Sequence, residues 1–350
     1  MIAYYSLNMS TFKYLTNDKN GMLIGLENLK NENFYMKLEE NFRKKILIGE
    51  SDTLPYKNET FAKSINVKFN TKNNQSACIR QWYHGKRCIP MQKLKIIAKY
   101  NKANWSEIEK NLIGMKSFGL GFTKFIQPKF PIMDDEKLGS IIGHILGDGW
   151  IDTKLSQPAY CNSNKELLKE FTYNANYIFG VEPRIWVQKK KRFEEKSEWM
   201  GRIEKIDDME DGLVATLFYP KSISTILFSI FGKFINNRKK HVPIISRGLS
   251  ENFKIGLIRA IFDDECSVDY GSQYIRLHQD NPKILTDIKL LLSDIGIRSR
   301  PIRKYMKRDK YRHYFGVYGY ENFVKFRDKV GFTSSKKINR LNSLIKHLEH

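Results

Sequence analysis

Two acidic residues stand where two apolar stretches end, and their types and spacing point to joint chemistry. LGSIIGHILGDGWID (Leu138–Asp152) superposes on GLIRAIFDDECSVD (Gly256–Asp269) when slid by 117 positions (265 − 148). Asp148 then falls on Glu265, Gly139 on Gly256, Gly143 on Ala260 and Ile151 on Val268. Each stretch reads as a helix. Small residues recur at every fourth position (Gly139, Gly143 and Gly147 in one, Gly256 and Ala260 in the other), which puts them on one face. Faces without bulk let two backbones approach closely, and the carboxylates of Asp148 and Glu265 would then meet at the base of the pair. Two such charges about 5 Å apart repel by roughly 3 kcal/mol at an effective dielectric of about 20. A divalent cation with oxygen ligands offsets that repulsion. It also provides what phosphodiester cleavage needs: an activated water, charge neutralisation on the phosphate and a stabilised leaving oxygen. Asp148 and Glu265 are therefore the candidate catalytic and metal-ligating acids. Gly147 and Asp264 beside them are further candidate ligands, and Asp263 is a competitor. His144, one turn before Asp148, reads as a packed core histidine rather than a ligand.

The elements that must position these acids belong to a basic, globular chain. Lys and Arg number 60 against 38 Asp and Glu, a net charge of +22, which favours a polyanionic partner and nucleic acid above all. With 41% hydrophobic and 13% aromatic residues, the composition is that of a folded protein, and 350 residues suggest two or three domains. The four cysteines, Cys78, Cys88, Cys161 and Cys266, have no CxxC spacing, so neither a zinc ribbon nor a disulfide framework is indicated. A reducing, intracellular setting is expected, DNA-associated in cytoplasm or nucleoid. The longest apolar runs, such as ISTILFSIFG (Ile223–Gly232), fall short of the ~20 residues that span a bilayer, and no signal peptide opens the chain.

In chain order, residues 1–32 carry Tyr4, Tyr5, Phe12 and Tyr14 and read as an unassigned arm. Residues 33–115 read as a small helical domain: Tyr35–Leu47, Glu59–Val67, Asn74–Arg87 stopped by Gly85, a helix opened by Pro90, and Trp105–Leu112. Residues 116–133, rich in Gly, Pro, Lys and Phe, read as a linker. From 134 one pattern runs twice, over 134–248 and 249–347: a helix ending in acid, a hairpin, an amphipathic helix, two longer strands and a closing helix. Asn164 and Asn281 keep the same 117-residue spacing. The segment before Asp211 is expected as a loop at the strand tips. Residues 348–350 read as the stub of an expression tag. Alternation along the strands places Arg184, Trp186, Gln188 and Lys190 on one free face, and Lys304, Lys307, Arg312 and Tyr314 on another. Such basic, aromatic faces suit bases and phosphates.

IIGHILGDG and LIRAIFDDECSV resemble the paired motifs of the LAGLIDADG homing endonuclease family, with Ala260 and Cys266 departing from its usual glycines. The resemblance implies an α+β fold of two pseudo-symmetric αββαββα repeats forming a saddle, preceded by the small helical domain. It implies a monomeric enzyme that makes a metal-dependent double-strand cut at a long asymmetric site in double-stranded DNA, with Mg²⁺ as cofactor and Mn²⁺ able to substitute. RKKHVP (Arg238–Pro243) resembles the family's Lys-x-x-Pro stretch, which makes Lys240 a catalytic candidate. Lys337, after Gly331-Phe332, is its counterpart, and the family places a capping or packing acid at Asp263. The 33–115 region resembles a Cro/repressor helix-turn-helix, in which Gln75, Arg80 and Gln81 would read the major groove, although Lys68–Asn74 replaces the tight turn. A catalytically inactive DNA-binding regulator and an RNA-binding intron maturase are the alternatives on the same scaffold.

Overall fold

The computed structural model describes residues 17–18, 21–29, 33–119, 122–152, 154–189, 198–236, 239–307 and 310–349. Tyr4, Tyr5, Phe12, Tyr14 and Lys190 lie outside them.

The first unit is mixed, where a purely helical one was expected. β1 (Asn17–Asp18) pairs with β2 (Gly21–Ile24). β3 (Phe34–Leu38) is the centre of an antiparallel sheet, flanked by β4 (Ile89–Pro90) and β5 (Leu112–Ser117). Phe34, Met36 and Leu38 are buried while Lys37 between them is exposed. That period of two makes a strand of a segment read as the start of a helix. Helix α1 (Glu40–Ile48) begins only after it, with the Glu39 carboxylate accepting from the Phe42 N–H at 2.9 Å. α2 (Glu59–Ser64), α3 (Ala77–Tyr83), α4 (Met91–Tyr100) and α5 (Trp105–Lys110) complete the unit. Residues 65–76 separate α2 from α3, so no tight turn joins them, and Gln75 precedes the helix it was assigned to.

The 116–133 stretch is packed rather than slack. Ile126 is fully buried and bridges to Met115, and β6 (Ile132–Met133) pairs with β2. The Ser117 N–H donates to the Ser222 hydroxyl at 2.8 Å.

The helix α6 (Glu136–Leu146) opens the next region, with β7 (Gly149–Ile151), β8 (Pro158–Asn162), α7 (Lys165–Phe179), β9 (Arg184–Lys189), β10 (Glu198–Ile203), β11 (Leu213–Phe218) and α8 (Lys221–Phe231). Their antiparallel sheet runs β10–β9–β11–β8–β7. β10 lies in the segment expected as a loop; it pairs with β9 as an edge strand and breaks register between Trp199 and Gly201. A short hairpin, β12 (Ile235–Asn236) and β13 (Lys239–Lys240), leads to α9 (Glu251–Glu265). Then come β14 (Cys266–Asp269), β15 (Tyr274–Gln279), α10 (Pro282–Asp294), β16 (Arg303–Lys307), β17 (Lys310–Val317) and α11 (Tyr320–Lys329), with the sheet order β14–β15–β17–β16. A last helix, α12 (Ser335–Leu348), was not foreseen. Leu348 packs against the core and the Tyr320 hydroxyl donates to Glu349, so two residues read as a tag stub are engaged by the fold.

α6 and α9 make the most extensive helix–helix contact in the molecule. The reason is the glycine stripe. A Cβ on Gly139 would strike the Phe253 carbonyl, one on Gly143 the Leu257 carbonyl, and one on Gly256 the Glu136 carbonyl. Leu138, Ile142, Ile145, Leu257 and Ile261 are buried on the same helices. The α9 start is fixed by the Asp134 carboxylate, which accepts from the Ser250 N–H at 2.7 Å. No helix among the described residues is long and apolar enough to cross a membrane.

Candidate active site at the paired helix ends

α6 and α9 end beside each other, with an acid before the following strand in each case: Asp148 two residues past α6, and Glu265 as the last residue of α9. Asp148 is exposed; its Oδ2 accepts from Asn162 Nδ2 on β8 at 3.0 Å. Glu265 is half-buried, and its Oε1 accepts from Gln279 Nε2 on β15 at 3.0 Å. Asn162 and Gln279 are themselves 117 positions apart (279 − 162), so each half offers an acid with a strand-borne amide holding it. Sequence reasoning missed both amides, although the register that aligned the acids also aligns them.

The two lysines sit at the helix ends as well. Lys240 Nζ donates to the carbonyls of Leu146 (3.1 Å), Gly147 (2.6 Å) and Gly149 (2.7 Å), at the end of α6. Lys337 Nζ donates to the carbonyls of Phe262 (2.9 Å) and Asp263 (2.5 Å), at the end of α9. Each therefore neutralises the negative end of a motif helix. Burial lowers the Lys240 pKa, opposed by the charges of Glu265, Asp148 and Asp264. Burial raises the Glu265 carboxyl, as does Asp264, while Lys240 pulls it down. Both acids thus share the field of one desolvated ammonium.

The lysine segments also cross between halves. Asn281, the N-cap of α10, donates to the Lys240 carbonyl at 2.7 Å. Asn164, the N-cap of α7, donates to the Ser334 hydroxyl at 3.2 Å, three residues before Lys337. Asp263 lies between them, its carboxylate accepting from the N–H groups of Thr333 (2.7 Å) and Ser334 (3.1 Å) at the start of α12. Burial pushes its carboxyl up to about 6.

Behind the acids lies a buried polar cluster. Asp264, whose side chain is fully buried, accepts from the Tyr160 hydroxyl at 2.7 Å and from Asn162 Nδ2 at 3.3 Å through Oδ1, and from the Asp148 N–H at 3.2 Å through Oδ2. The same Oδ2 lies 3.1 Å from His144 Nδ1. On the other side, His144 Nε2 lies 3.7 Å from Glu170 Oε2, an ion-pair distance too long for a hydrogen bond. Burial lowers the pKa of His144, but the charge and hydrogen bond of Asp264 and the charge of Glu170 outweigh it and raise it to about 10. Glu170, raised by burial, is taken down to about 2 by His144. His144 is buried in the core, as expected, and is an imidazolium held between two carboxylates.

This arrangement bears on the candidate ligands Gly147 and Asp264. Both oxygens of Asp264 are committed to the cluster, and a Cβ on Gly147 would strike that carboxylate. The Gly147 carbonyl faces the Lys240 ammonium, whose charge repels a cation. Asp148 and Glu265 remain as oxygen donors that fit a hard divalent ion. Among the described residues no group of three or more His, Cys, Asp and Glu side chains is arranged as a metal site.

On β9, exposed Arg184 and Trp186 and half-buried Gln188 alternate with buried Ile185 and Val187, as expected of one free face. The Arg184 guanidinium lies 3.8 Å from the Phe122 ring centroid. On the second sheet, Arg312 and Tyr314 share the face opposite buried Phe315 and Val317. Lys304 does not join them: it pairs with His313, which has the parity of Phe315, and its ammonium lies 3.4 Å from the Tyr311 ring centroid. Lys304 and Lys307 are three apart and cannot share a face of one strand. Lys307 pairs through its backbone with Lys310. The cation missed on this face is Arg276, stacked on Tyr274 at 3.7 Å and Tyr314 at 4.6 Å. In the first unit Arg80 is exposed on α3 and Gln75 and Gln81 are half-buried.

Part of the second half of this architecture matches a family model. Residues 252–331 match the LAGLIDADG-like domain. That span runs from α9 through α11. No curated protein matches the chain. Among solved structures, variants of the homing endonuclease I-DmoI share 12% identity over 57% of this chain and 96% of theirs, at a TM-score of 0.38. The homing endonuclease I-WcaI bound to its DNA recognition sequence shares 13% over 59% and 86%, at 0.37. The N-terminal LAGLIDADG domain of DUF199/WhiA shares 12% over 59% and 88%, at 0.36. Likenesses this distant decide nothing about activity.

Proposed function

We propose that the chain is a sequence-specific endonuclease that hydrolyses double-stranded DNA as a monomer, with residues 134–248 and 249–347 as the two halves of a DNA-binding saddle. The observation that carries this reading is the matched pair Asp148–Asn162 and Glu265–Gln279 at adjoining helix ends beside Lys240. In this reading Asp148 and Glu265 would hold a divalent cation, Mg²⁺ or Mn²⁺, which would supply charge neutralisation at the scissile phosphate and an activated water. Asn162 and Gln279 fix the carboxylate rotamers. Lys240 and Lys337 keep the helix ends rigid, and Lys240 adds positive charge where the phosphate would sit. Arg184, Trp186, Gln188, Arg276, Arg312 and Tyr314 face the duplex, with Arg80 and Gln81 of the first unit extending the footprint.

A second reading, a DNA-binding regulator that does not cut, is favoured by one observation: the Lys240 ammonium sits on the Gly147 carbonyl, and among the described residues no third His, Cys, Asp or Glu side chain joins Asp148 and Glu265 as a ligand. Selection of bound and of cleaved sites from a randomised DNA library, in Mg²⁺ and in Ca²⁺, separates the two. The endonuclease is expected to yield cleaved sites in Mg²⁺. Asp148→Asn and Glu265→Gln are each expected to abolish cutting and leave binding nearly intact. Binding without cutting in the unaltered protein would select the regulator, and full cutting by either variant would remove that acid from the mechanism.

A further inference from the structure

A cleft of about 830 Å³ opens in the first unit, between β3, β5 and the turn that follows α3. Five cations line it: Lys37, Arg43, Lys86, Arg87 and Lys116. No Asp or Glu among the described residues does. Its walls are aromatic. Phe118 is 74% exposed, and its ring centroid lies 6.0 Å from that of Tyr35; Trp82 and Phe125 also line the cleft. None of these residues belongs to the paired helices, so the site stands apart from the cleavage reading.

Arg43 is the informative member. It is only 8% exposed, and its Nη1 donates to the Leu38 carbonyl at 3.3 Å. Its Nε is buried with no hydrogen-bond partner, and no carboxylate among the described residues pairs with it within 4.0 Å. Gly85, at φ +70°, leaves the space the guanidinium fills: a Cβ there would lie 2.8 Å from Nη2. Glu39 and Glu40 feel its charge without touching it; a buried guanidinium with no carboxylate in contact is costly, and planar N–H pairs match the oxygens of a phosphate. Rings beside the cations provide a stacking surface for a base.

We propose that this cleft binds a nucleotide unit, its phosphate against Arg43 with Lys86 and Arg87, its base against Tyr35 and Phe118. The unit comes either from a free mononucleotide or from an exposed strand end. Cys78 and Cys88 also line the cleft, and burial raises both thiols, so their slow alkylation in alkaline buffer reports occupancy. The full chain is alkylated with and without adenosine 5′-monophosphate, a short oligothymidylate, inorganic phosphate or polyglutamate, and peptides carrying Cys78, Cys88 and Cys161 are quantified by mass spectrometry. The mononucleotide or the oligothymidylate is expected to slow Cys78 and Cys88 and spare Cys161; which of the two acts identifies the source. The exposed pair Lys86→Glu and Arg87→Glu is expected to weaken that protection about tenfold or more, with an unchanged thermal midpoint. Equal protection by inorganic phosphate or polyglutamate would overturn the nucleotide assignment. So would no protection by any probe, or protection that survives charge reversal.

Discussion

The imidazolium of His144 ties the two halves of the molecule to pH. Its pKa is raised from 6.5 to about 10 by Asp264 on α9 and Glu170 on α7. A raised pKa means a stabilising contribution that is complete below about pH 6.5 and is lost as pH climbs through about 10. Glu170 is lowered from 4.5 to about 2, so its contribution is complete above about pH 4.5 and is lost as pH falls through about 2. The gap in thermal midpoint between the unaltered protein and His144→Gln is therefore expected to be widest between about pH 4.5 and 6.5 and to shrink toward pH 10. A gap that stays constant across that range would show that His144 only fills space. This role was not legible in the sequence. His144 and Asp264 are 120 residues apart, and the helix crossing that joins them is fixed by glycines whose spacing was legible. Asp148 and Glu265 could be read because one repeat register aligns them; Asn162 and Gln279 obeyed the same register but lack chemistry that marks them alone.

Among the elements, the α6–α9 seam has the least tolerance. A Cβ on Gly143 would meet the Leu257 carbonyl and, at 2.7 Å, the Ala260 Cβ, and a helix backbone cannot swing aside as a side chain can. Gly143→Ala is expected to cost about 1–3 kcal/mol, read from urea unfolding, while Gly232→Ala, which meets no atom within 4 Å but sits at φ +71°, reports backbone strain alone. A seam variant as stable as the parent would mean that the helices can slide apart without loss. The motif helices and most strands of both sheets were legible from period and punctuation. β3 was not, because Phe34 and Leu38, four apart, satisfy a helical spacing and a strand spacing alike over so few residues. β10 was not, because its pairing depends on β9 alone, at a sheet edge that sequence does not mark. α12 escaped notice because Leu341, Leu344 and Ile345 bury a narrow stripe on an otherwise charged segment.

For the molecule as a whole, charge sets the partner and the salt dependence. A net charge of +22 spread over two sheet faces and the first unit should make binding to duplex DNA electrostatic in large part. Each neutralised phosphate contributes a slope of about −0.9 in log affinity against log salt. Titration by fluorescence anisotropy across several salt concentrations is expected to give a steep linear fall, and charge reversal of Arg276 a slope shallower by about one. A flat response would rule out the sheets as a phosphate-contacting surface. The first unit is bound into this body by β2–β6 pairing and by Ser117 on Ser222, which composition alone made look like a hinge.

Lys337 and Asp263 set an order on the birth of the site. The last carbonyls of α9 are capped by Lys337, and the Asp263 carboxylate is satisfied by the N–H groups of Thr333 and Ser334. Until those residues have left the ribosome, the nascent chain carries both acids but lacks the groups that hold the Glu265 end in place. Under the proposed endonuclease reading, chains stopped short of Thr333 are expected to carry both acids and yet be unable to cut DNA.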